Sequence, residues 1–202
     1  MDEIVKAAMA KWPNVPHCYG WLALDARGVW RMRDERAQAL SLPGDPIRNA
    51  TLLSFINRNY LCDVSGNWYF QNGPQKVYVD LLATPYIAQL LPDKSWRLHT
   101  GGTMSQVKQV WMLDDGNIIC KTENYLCQID DRDLSLLIED CRENQQALSD
   151  TRLLEFMDMS DNKATACRIQ ISIQGQQLTL EKSSLEALMR EENYCSRPRS
   201  TT

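Results

Sequence analysis

The sequence predicts an α+β protein in which short antiparallel β-hairpins and meanders pack with a few helices. A turn signature, Asp-x-x-Gly-x-Trp, begins at Asp25 and again at Asp63, and each copy lies between apolar or aromatic residues. Aspartate at the first position and glycine at the fourth are typical of a β-hairpin turn. Elsewhere, apolar residues recur at helical spacing, which predicts helices between the hairpins.

In the first half of the chain, helical spacing, alternation and turn residues predict the elements in order. They are a helix over 2–11, an extended connector at Pro13 and Pro16, a hairpin at 19–33, a loop over 37–45, a helix over 46–57 capped by Asp45, a hairpin at 60–71 and a strand at 76–82. The last hairpin and this strand form a three-stranded meander, which is stable when a helix covers it.

Beyond Pro92 the pattern becomes richer in short strands. The predicted elements are strands at 96–100, 106–113, 118–122 and 125–129, a helix over 130–142, a hairpin at 168–180 and a helix over 183–192. Asp115-Gly116 predicts a two-residue turn between two of these strands. Residues 153–159 are compatible with either a helix or a strand.

Two repeated patterns along the chain raise the question of internal structural repetition. Residues 59–62, Asn-Tyr-Leu-Cys, recur letter for letter at 124–127, and the order hairpin, helix, Asn-Tyr recurs at residues 193–194. Duplication and a chance match both remain open, because the spacing is not uniform. The predicted organisation is an N-terminal α+β domain over 1–92, a C-terminal β-rich α+β domain over 93–195 and a frayed tail over 196–202.

Composition narrows the class of protein. The chain has 202 residues, of which 44% are hydrophobic and 24% charged, and a net charge of −4, so it lacks the basic excess of a nucleic-acid-binding domain. No apolar run approaches the ~18 residues of a membrane span, and the acidic N-terminus differs from a signal peptide. Seven irregularly spaced cysteines indicate reduced thiols, so we expect a cytoplasmic protein.

Motifs for metal, cofactor or covalent chemistry are weak. The sequence lacks Cys-x-x-Cys, phosphate-loop and dinucleotide-binding patterns, so we expect no metal and no cofactor. The pair His17-Cys18 could form an activated thiolate, although neighbours on an extended segment point to opposite faces. The acidic run from Asp130 to Asp133 is better explained by capping of a helix than by a calcium loop.

Aromatic and arginine residues provide the candidate binding groups. Tryptophans from the two hairpins, with Tyr69, would line an amphipathic groove if the hairpins shared a sheet, and arginines cluster in the same region. The competing interpretation is a hydrophobic core with solvated ion pairs. The arginines are Arg31, Arg33, Arg36, Arg48 and Arg58. The candidate binding set is His17, Trp21, Trp30, Arg31, Arg58 and Trp68, with no catalytic residue assigned.

Two strings resemble a known family. Residues 16–25, Pro-His-Cys-Tyr-Gly-Trp-Leu-Ala-Leu-Asp, and residues 68–79, which begin Trp-Tyr-Phe-Gln-Asn-Gly-Pro, are similar to an uncharacterised proteobacterial family described only as a domain of unknown function. The resemblance covers residues 1–92 well and the remainder more weakly. It implies a bacterial cytoplasmic setting and supplies no reaction or catalytic residues.

A more distant likeness is to a second bacterial family of unknown function. The order Gly28-x-Trp30, Pro46-Ile47, a strand at 76–79 and Thr84-Pro85 is similar in both. That resemblance implies a two-domain α+β fold of repeated motifs and a suggested signalling role. The chain departs from the family in the loop at 34–45 and in the extra segment after about residue 145.

These observations favour a non-enzymatic regulatory or ligand-sensing protein. An interaction or assembly module, such as a homodimer, is the alternative, and a cysteine-dependent enzyme that uses Cys18 is the third hypothesis. The expected partner is a small molecule or another protein, and neither nucleic acid nor a membrane is expected. A concave pocket formed by the aromatic and arginine residues of 17–78 would favour ligand sensing.

Overall fold

The computed structural model describes residues 1–12, 15–159 and 167–200. The predicted connector at Pro13 and the end of the predicted tail, residues 201–202, lie outside these ranges. The chain divides into two compact units. One unit is Met1–Ala83 together with the C-terminal segment from Glu192, and the other is Thr84–Glu191. The sequence places its boundary at residue 92, whereas the units divide after Ala83.

A six-stranded mixed sheet forms the first unit, with helices beside it. The strands are β1 Cys18–Leu24, β2 Trp30–Met32, β3 Asp45–Pro46, β4 Tyr60–Cys62, β5 Trp68–Asn72 and β6 Gln75–Leu81, and the helices are α1 Glu3–Lys11, α2 Glu35–Ala39 and α3 Ala50–Arg58. The order is β3-β2-β1-β6-β5-β4, with β1 and β6 parallel. Both predicted hairpins and the meander are therefore confirmed within one sheet.

Two predictions for residues 37–46 are wrong. The segment predicted as a loop, 37–45, overlaps the second half of α2, a helix that begins earlier because the Asp34 side chain accepts a hydrogen bond from Ala37 N and caps it. Asp45 does not cap a helix at Pro46, since both residues pair with β2 as a short strand. The helix α3 begins later, where the Asn49 side chain accepts from Leu52 N at 2.9 Å.

The second unit contains a nine-stranded mixed sheet. Its strands are β7 Tyr86–Leu90, β8 Trp96–Leu98, β9 Gln109–Met112, β10 Ile118–Lys121, β11 Leu126–Ile129, β12 Arg142–Glu143, β13 Gln146–Ala147, β14 Ile169–Ile173 and β15 Gln176–Lys182. Its helices are α4 Leu134–Glu139, α5 Asp150–Asp158 and α6 Leu185–Glu191. The strand order is β13-β12-β14-β15-β9-β10-β11-β7-β8. This architecture confirms the α+β class, and α5 resolves the ambiguous segment 153–159 as helix.

The sequence missed β7, which lies inside this sheet between β11 and β8. Ile87 and Ala88 are fully buried, and the sheet closes around an apolar cluster that includes Ile129, Phe156 and Ile171. The predicted capping role of the acidic run is confirmed, because the Asp130 side chain accepts from Arg132 N at the start of a 3₁₀ turn. The turn at Asp115 has three loop residues, since Leu113 N donates to Asn117 O.

One hairpin turn recurs with the same geometry. In the turns at 25–29 and 63–67, the fourth residue donates to the first and the first donates to the fifth, at 3.0 to 3.1 Å. A third copy at 91–95 has distances of 2.8 and 2.9 Å, although Leu91 and Lys94 replace the aspartate and glycine. The fourth residue has positive φ in each, and a tryptophan follows: Trp30, Trp68 and Trp96. The backbone geometry is therefore shared more widely than the sequence signature indicates.

Candidate functional site

The structure places the sequence-predicted binding residues at several separate locations within the first unit. Trp30 and Trp68 lie beside Tyr60, with ring centroids 5.1 and 4.8 Å from the Tyr60 ring. Trp30 is buried and its indole N–H donates to Asn57 Oδ1 at 2.8 Å. These two tryptophans are therefore brought together as part of the packing between strands and the α3 region.

His17 and Trp21 occupy the exposed side of the region around β1. The His17 ring meets the edge of Tyr78 at 5.9 Å, and Trp21 is 41% exposed. The pairing of β1 with β6 is irregular between Cys18 and Leu22, an interval that begins directly after His17 and includes Trp21. No ring contact joins either of them to the tryptophans beside Tyr60 in the part of the chain that the structure describes.

Arg31 and Arg58 make local ion pairs. Arg31 Nε donates to Asp25 Oδ2 at 2.7 Å, and its Nη1 donates to Gly44 O. Arg58 pairs with Asp2 at 3.2 Å, and its side chain is 54% exposed. The Arg58 side chain lowers the pKa of Asp2 below its usual range. Each arginine thus fastens a neighbouring segment, and the two do not converge on one site.

Among the described residues, the geometry gives little support for a cysteine nucleophile or for a metal site. His17 and Cys18 are exposed and half-buried, respectively, and no hydrogen bond links them in the described ranges. Across those same ranges, no group of three or more His, Cys, Asp or Glu residues is placed to hold a metal ion. None of the helices described there combines the length and hydropathy needed to cross a bilayer.

A cavity of about 260 Å³ in the first unit gathers a different set of polar residues. Four parts of the fold contribute, namely β1, the α2 region, β6 and the C-terminal segment. The lining residues are Tyr19, Gly20, Arg33, Gln38, Asp80 and Arg199. Because these residues are distant in sequence and converge on one concavity, the cavity is the best candidate for a binding site in this unit.

A buried carboxylate with two guanidinium partners forms the wall of the cavity. The Asp80 side chain is only 4% exposed, and Arg33 Nη1 donates to its Oδ2 at 2.6 Å. Arg199 Nη1 donates to the other oxygen, Oδ1, at 3.1 Å. One negative charge therefore faces two positive charges, so the cluster carries one net positive charge beside the cavity. We refer to these three residues as the Asp80 cluster.

The second half of each guanidinium remains available for a ligand. Arg33 Nε donates to Leu42 O, and Arg199 Nη1 also donates to Pro198 O. Neither Nη2 atom makes a hydrogen bond with the described residues. Arginine N–H groups bind carboxylate and phosphate oxygens with charge-assisted hydrogen bonds. The Asp80 cluster therefore has both the charge and the donors required to bind a small anion.

The neighbouring wall depends on a glycine. Gly20 has a φ of +77°, and a Cβ atom at this position would lie 2.7 Å from Gln38 Oε1. The Gln38 amide is itself held in place, because its Nε2 donates to Arg33 O at 3.0 Å. Gly20 thus lets the side chain of Gln38 approach the backbone of β1 closely, which leaves a fixed amide oxygen near the cavity.

Tyr19 provides a rigid aromatic surface. Its ring stacks on Tyr78 with a centroid distance of 4.6 Å and an angle of 10°. Tyr78 is buried and its hydroxyl donates to Asp63 Oδ2 at 3.2 Å. Burial, followed by the negative charge of Asp63, raises the pKa of Tyr78 well above its usual value. The phenol therefore stays protonated and continues to donate to Asp63 at neutral pH.

Asp63 connects this aromatic stack to the hairpin turn. Burial alone would raise the pKa of Asp63, but the backbone and side-chain N–H groups of Asn67 outweigh it and lower the pKa. The backbone N–H groups of Ser65 and Asn67 donate to Oδ1 at 2.9 and 3.0 Å. The turn-forming role expected for the aspartate of the repeated signature is thus combined with the support of Tyr78.

Arg33 is the one member of this site that belongs to the arginine cluster found in the sequence; the other members were not predicted as binding residues. Asp80 carried a usable signal, because a carboxylate in the middle of a predicted strand needs a partner when the strand is buried. Arg199 gave no such signal, since it lies in a short polar segment assigned to a frayed tail. Its partner is 119 residues away along the chain.

Two other cavities are less suited to specific binding of a charged ligand. One of about 380 Å³ lies beside α2 and is lined partly by Arg36, Pro43 and Asp45. Another, of about 730 Å³, belongs to the second unit and has apolar walls that include Leu91, Trp96 and Leu137. No two ionised side chains of either lining pair with each other among the described residues. The Asp80 cluster remains the better-defined polar site.

The fold and the cavity define an α+β protein of two compact units, with a small polar cavity in the first. The family model DUF2944, whose description is "Protein of unknown function (DUF2946)", matches residues 1–199. The chain therefore belongs to this family of unknown function, which confirms the first resemblance. Comparison with curated proteins gives no match.

A solved structure of a DUF1285 family protein has a similar fold. The protein from Silicibacter pomeroyi DSS-3 is 12% identical with a TM-score of 0.50, over 94% of this chain and 100% of that chain. The protein from Shewanella baltica OS155 is 14% identical with a TM-score of 0.39, over 56% of this chain and 86% of that chain. The likeness to the first of these concerns the fold alone, and it agrees with the expected resemblance to a second family of unknown function.

Proposed function

We propose that the protein is a non-enzymatic ligand-sensing protein whose first unit binds a small anion, a carboxylate or a phosphate, in the cavity beside the Asp80 cluster. The observation that carries this proposal is the convergence of Arg33 and Arg199 on one buried carboxylate at the cavity wall. The two positive charges of the guanidinium groups exceed the single negative charge of Asp80. A carboxylate or phosphate monoanion would make the cluster neutral.

The size and lining of the cavity support a small ligand. Its volume of about 260 Å³ is below the range typical of drug-sized ligands. The ring of Tyr19 offers an apolar wall, whereas Gln38 offers an amide that distinguishes donors from acceptors. The guanidinium groups bind an anion, the Tyr19 ring packs against its apolar part, and the Gln38 amide oxygen accepts from a donor of the ligand, which is why we favour sensing over catalysis.

The same proposal includes a cytoplasmic location, internal structural repetition and a signalling role. A cytoplasmic location is supported by the seven cysteines, which form no disulfide among the described residues. Internal repetition is supported by the hairpin geometry shared by residues 25–29, 63–67 and 91–95. A signalling role follows from ligand sensing in a protein whose C-terminal segment, with Arg199, completes the binding cavity.

Calorimetric titration with matched compounds tests the proposal. Acetate, benzoate and inorganic phosphate represent the anions, and benzamide has the shape of benzoate without its charge. We expect at least one anion to bind and to raise the melting temperature, because a ligand of the folded state stabilises it. Benzamide is expected to bind more weakly than benzoate.

Substitution of Arg199 shows whether an anion occupies this cavity. We expect Arg199→Met to weaken binding about tenfold or more, since a hydrogen bond to a charged group contributes roughly 1.5–3 kcal/mol. Arg36→Met is the control, because Arg36 is an exposed arginine of α2 that does not line this cavity. Equal affinity of both variants for the anion, or no binding of any anion to the natural sequence, would refute the proposal.

A further inference from the structure

The C-terminal segment, residues 192–200, is fastened to the first unit by backbone hydrogen bonds. Cys195 N donates to Gly66 O at 3.0 Å, and Leu81 N donates to Ser196 O at 2.7 Å. Tyr194 is 7% exposed and its hydroxyl donates to Ala83 O. We call this segment the C-terminal strap, and it is ordered by contacts where the sequence predicts a frayed tail from residue 196.

The turn at residues 63–67 of the first unit accommodates the strap. Gly66 lies in the second copy of the repeated turn, with a φ of +79°, and a Cβ there would lie 1.9 Å from Asn193 O. Such a distance is far inside van der Waals contact, so the strap can dock closely only because position 66 has no side chain. The glycine of the turn signature therefore serves both the hairpin and the docking of the strap.

The strap also supplies part of the binding site. Arg199 lines the cavity and donates to Asp80 Oδ1, whereas Arg33 approaches Asp80 from the region between β2 and α2. Without Arg199 the charges of Arg33 and Asp80 cancel. The net positive charge that favours an anion is therefore present only while the strap is docked.

We propose that the strap is the regulated element of this sensor: binding of a small monoanion at the Asp80 cluster and docking of the strap stabilise each other. This inference rests on the function proposed above, since it assigns a regulatory consequence to the same site. Binding an anion between Arg33 and Arg199 favours the docked strap, and undocking removes one of the two arginines. By linkage, the two equilibria shift each other by the same factor.

The contacts of the strap make such coupling measurable. The Arg199 side chain is 59% exposed, and the strap is a short segment that contacts the first unit through two backbone hydrogen bonds, Tyr194 and Arg199. Segments of this kind open locally at a lower free energy than the core. If the ligand binds only the docked form, a concentration 100 times Kd slows opening-dependent exchange about 100-fold.

Amide hydrogen exchange of the full chain provides the test, with the most effective anion of the acetate, benzoate and phosphate series as the probe. The Cys195 and Leu81 amides report on strap docking, since both donate across the contact. We expect the anion to slow their exchange at least tenfold at saturation. Exchange of the Ile119 amide, in β10 of the second unit, is the internal control.

A matched pair of variants separates this inference from the proposed function. Cys195→Pro removes the N–H that donates to Gly66 O, whereas Cys195→Ala retains it, and residue 195 does not line the cavity. We expect only the proline variant to bind the anion several times more weakly. The Leu81 amide should exchange faster in that variant, which verifies that the strap has loosened.

The outcomes are distinct. Anion binding to the natural chain with unchanged exchange at Cys195 and Leu81, or with equal affinity for both Cys195 variants, overturns the coupling and leaves the binding function intact. No binding of any anion in the series overturns the binding function and, with it, the coupling. A tighter-binding proline variant would show that the strap competes with the ligand, which also contradicts the inference.

Discussion

Asp80 shows how one residue determines both the stability and the charge of the proposed site. Its carboxylate is buried, and each oxygen accepts from a different arginine. A carboxylate without partners would be costly at this depth, so the two ion pairs are required by its burial. The same arrangement leaves one positive charge in excess, which makes the residue a sensitive test of the anion site.

We expect Asp80→Asn to lower stability and raise affinity for a bound anion. Arg33, whose side chain is 15% exposed, would lose its charged partner, and breaking a buried pair costs about 3 kcal/mol. The charge of the cavity would rise from one to two, so benzoate should bind about tenfold more tightly. Chemical unfolding and calorimetric titration measure the two effects. Asp45→Asn is the control for an exposed aspartate, and weaker binding by Asp80→Asn would contradict the assignment.

Asp130 in the second unit has a strongly depressed carboxyl pKa. Burial alone would raise this pKa, but Arg132 and Gln89 donate to the carboxylate and lower it to about 2. The Asp130 side chain is 1% exposed, whereas that of Arg132 is 61% exposed, so solvent weakens the ion pair from the arginine side. A pKa below that of the unfolded chain, about 3.9, means that the ionised group stabilises the folded state above pH 4.

We expect Asp130→Asn to destabilise the second unit by about 2 kcal/mol at pH 7. The difference from the natural chain should shrink as pH falls from about 4 towards 2, because the natural carboxylate then becomes protonated as well. Hydrogen exchange of β10 and β11 amides at pH 7 and pH 3 measures this. The exposed variant Asp140→Asn should show little change. A loss for Asp130→Asn that is independent of pH would mean that ionisation of this carboxylate does not account for the effect.

At the scale of elements, the hairpins follow directly from local sequence. Aspartate and glycine at fixed positions specify the turn, and the structure confirms both copies in one sheet. The third copy was not predictable in this way, because Leu91 and Lys94 occupy the positions of aspartate and glycine. Its geometry comes instead from strand pairing, which holds Lys94 at a φ of 64°. Tertiary contacts there outweigh the local preference against positive φ.

Gly66 and Gly101 occupy the fourth position of equivalent turns, because in the turn at 98–102 Gly101 N also donates to Leu98 O and Leu98 N to Gly102 O. The surroundings of the two glycines differ. A Cβ at Gly66 would collide with Asn193 O, whereas nothing lies within 4 Å of a Cβ at Gly101. Both have positive φ, so each alanine substitution costs about 1–2 kcal/mol in backbone strain. We expect Gly66→Ala to lose clearly more stability than Gly101→Ala and to speed exchange of the Cys195 amide. Equal losses in chemical unfolding, with unchanged exchange, would mean that the strap adjusts without cost.

At the scale of the whole molecule, the order of elements was more predictable than their assembly. Periodicity and turn residues located most helices and strands, because those signals act within a few residues. The parallel pairing of β1 with β6, the central position of β7 and the return of Arg199 to Asp80 depend on residues far apart in sequence. The candidate site consists largely of such long-range contacts. It was therefore predictable only in part, through Arg33.

The second unit is continuous in sequence, and this makes a prediction about folding. It begins at Thr84 and ends at Glu191, and the residues of its apolar cluster lie between β7 and β15. We expect a fragment of residues 84–191 to fold alone, with dispersed amide resonances and cooperative unfolding, because it contains its own core.

A fragment of residues 1–83 is the matched comparison, since it lacks the strap that the first unit recruits from the C-terminus. It would leave Leu81 N, Gly66 O and Asp80 without three of their partners. We therefore expect it to be less stable than the same unit in the full chain, and a synthetic peptide of residues 192–202 should restore part of that loss when added. If the fragment 1–83 reaches its full-chain stability without the peptide, the strap contributes nothing to the fold. A second unit that unfolds without cooperativity would show that the two units depend on each other for folding.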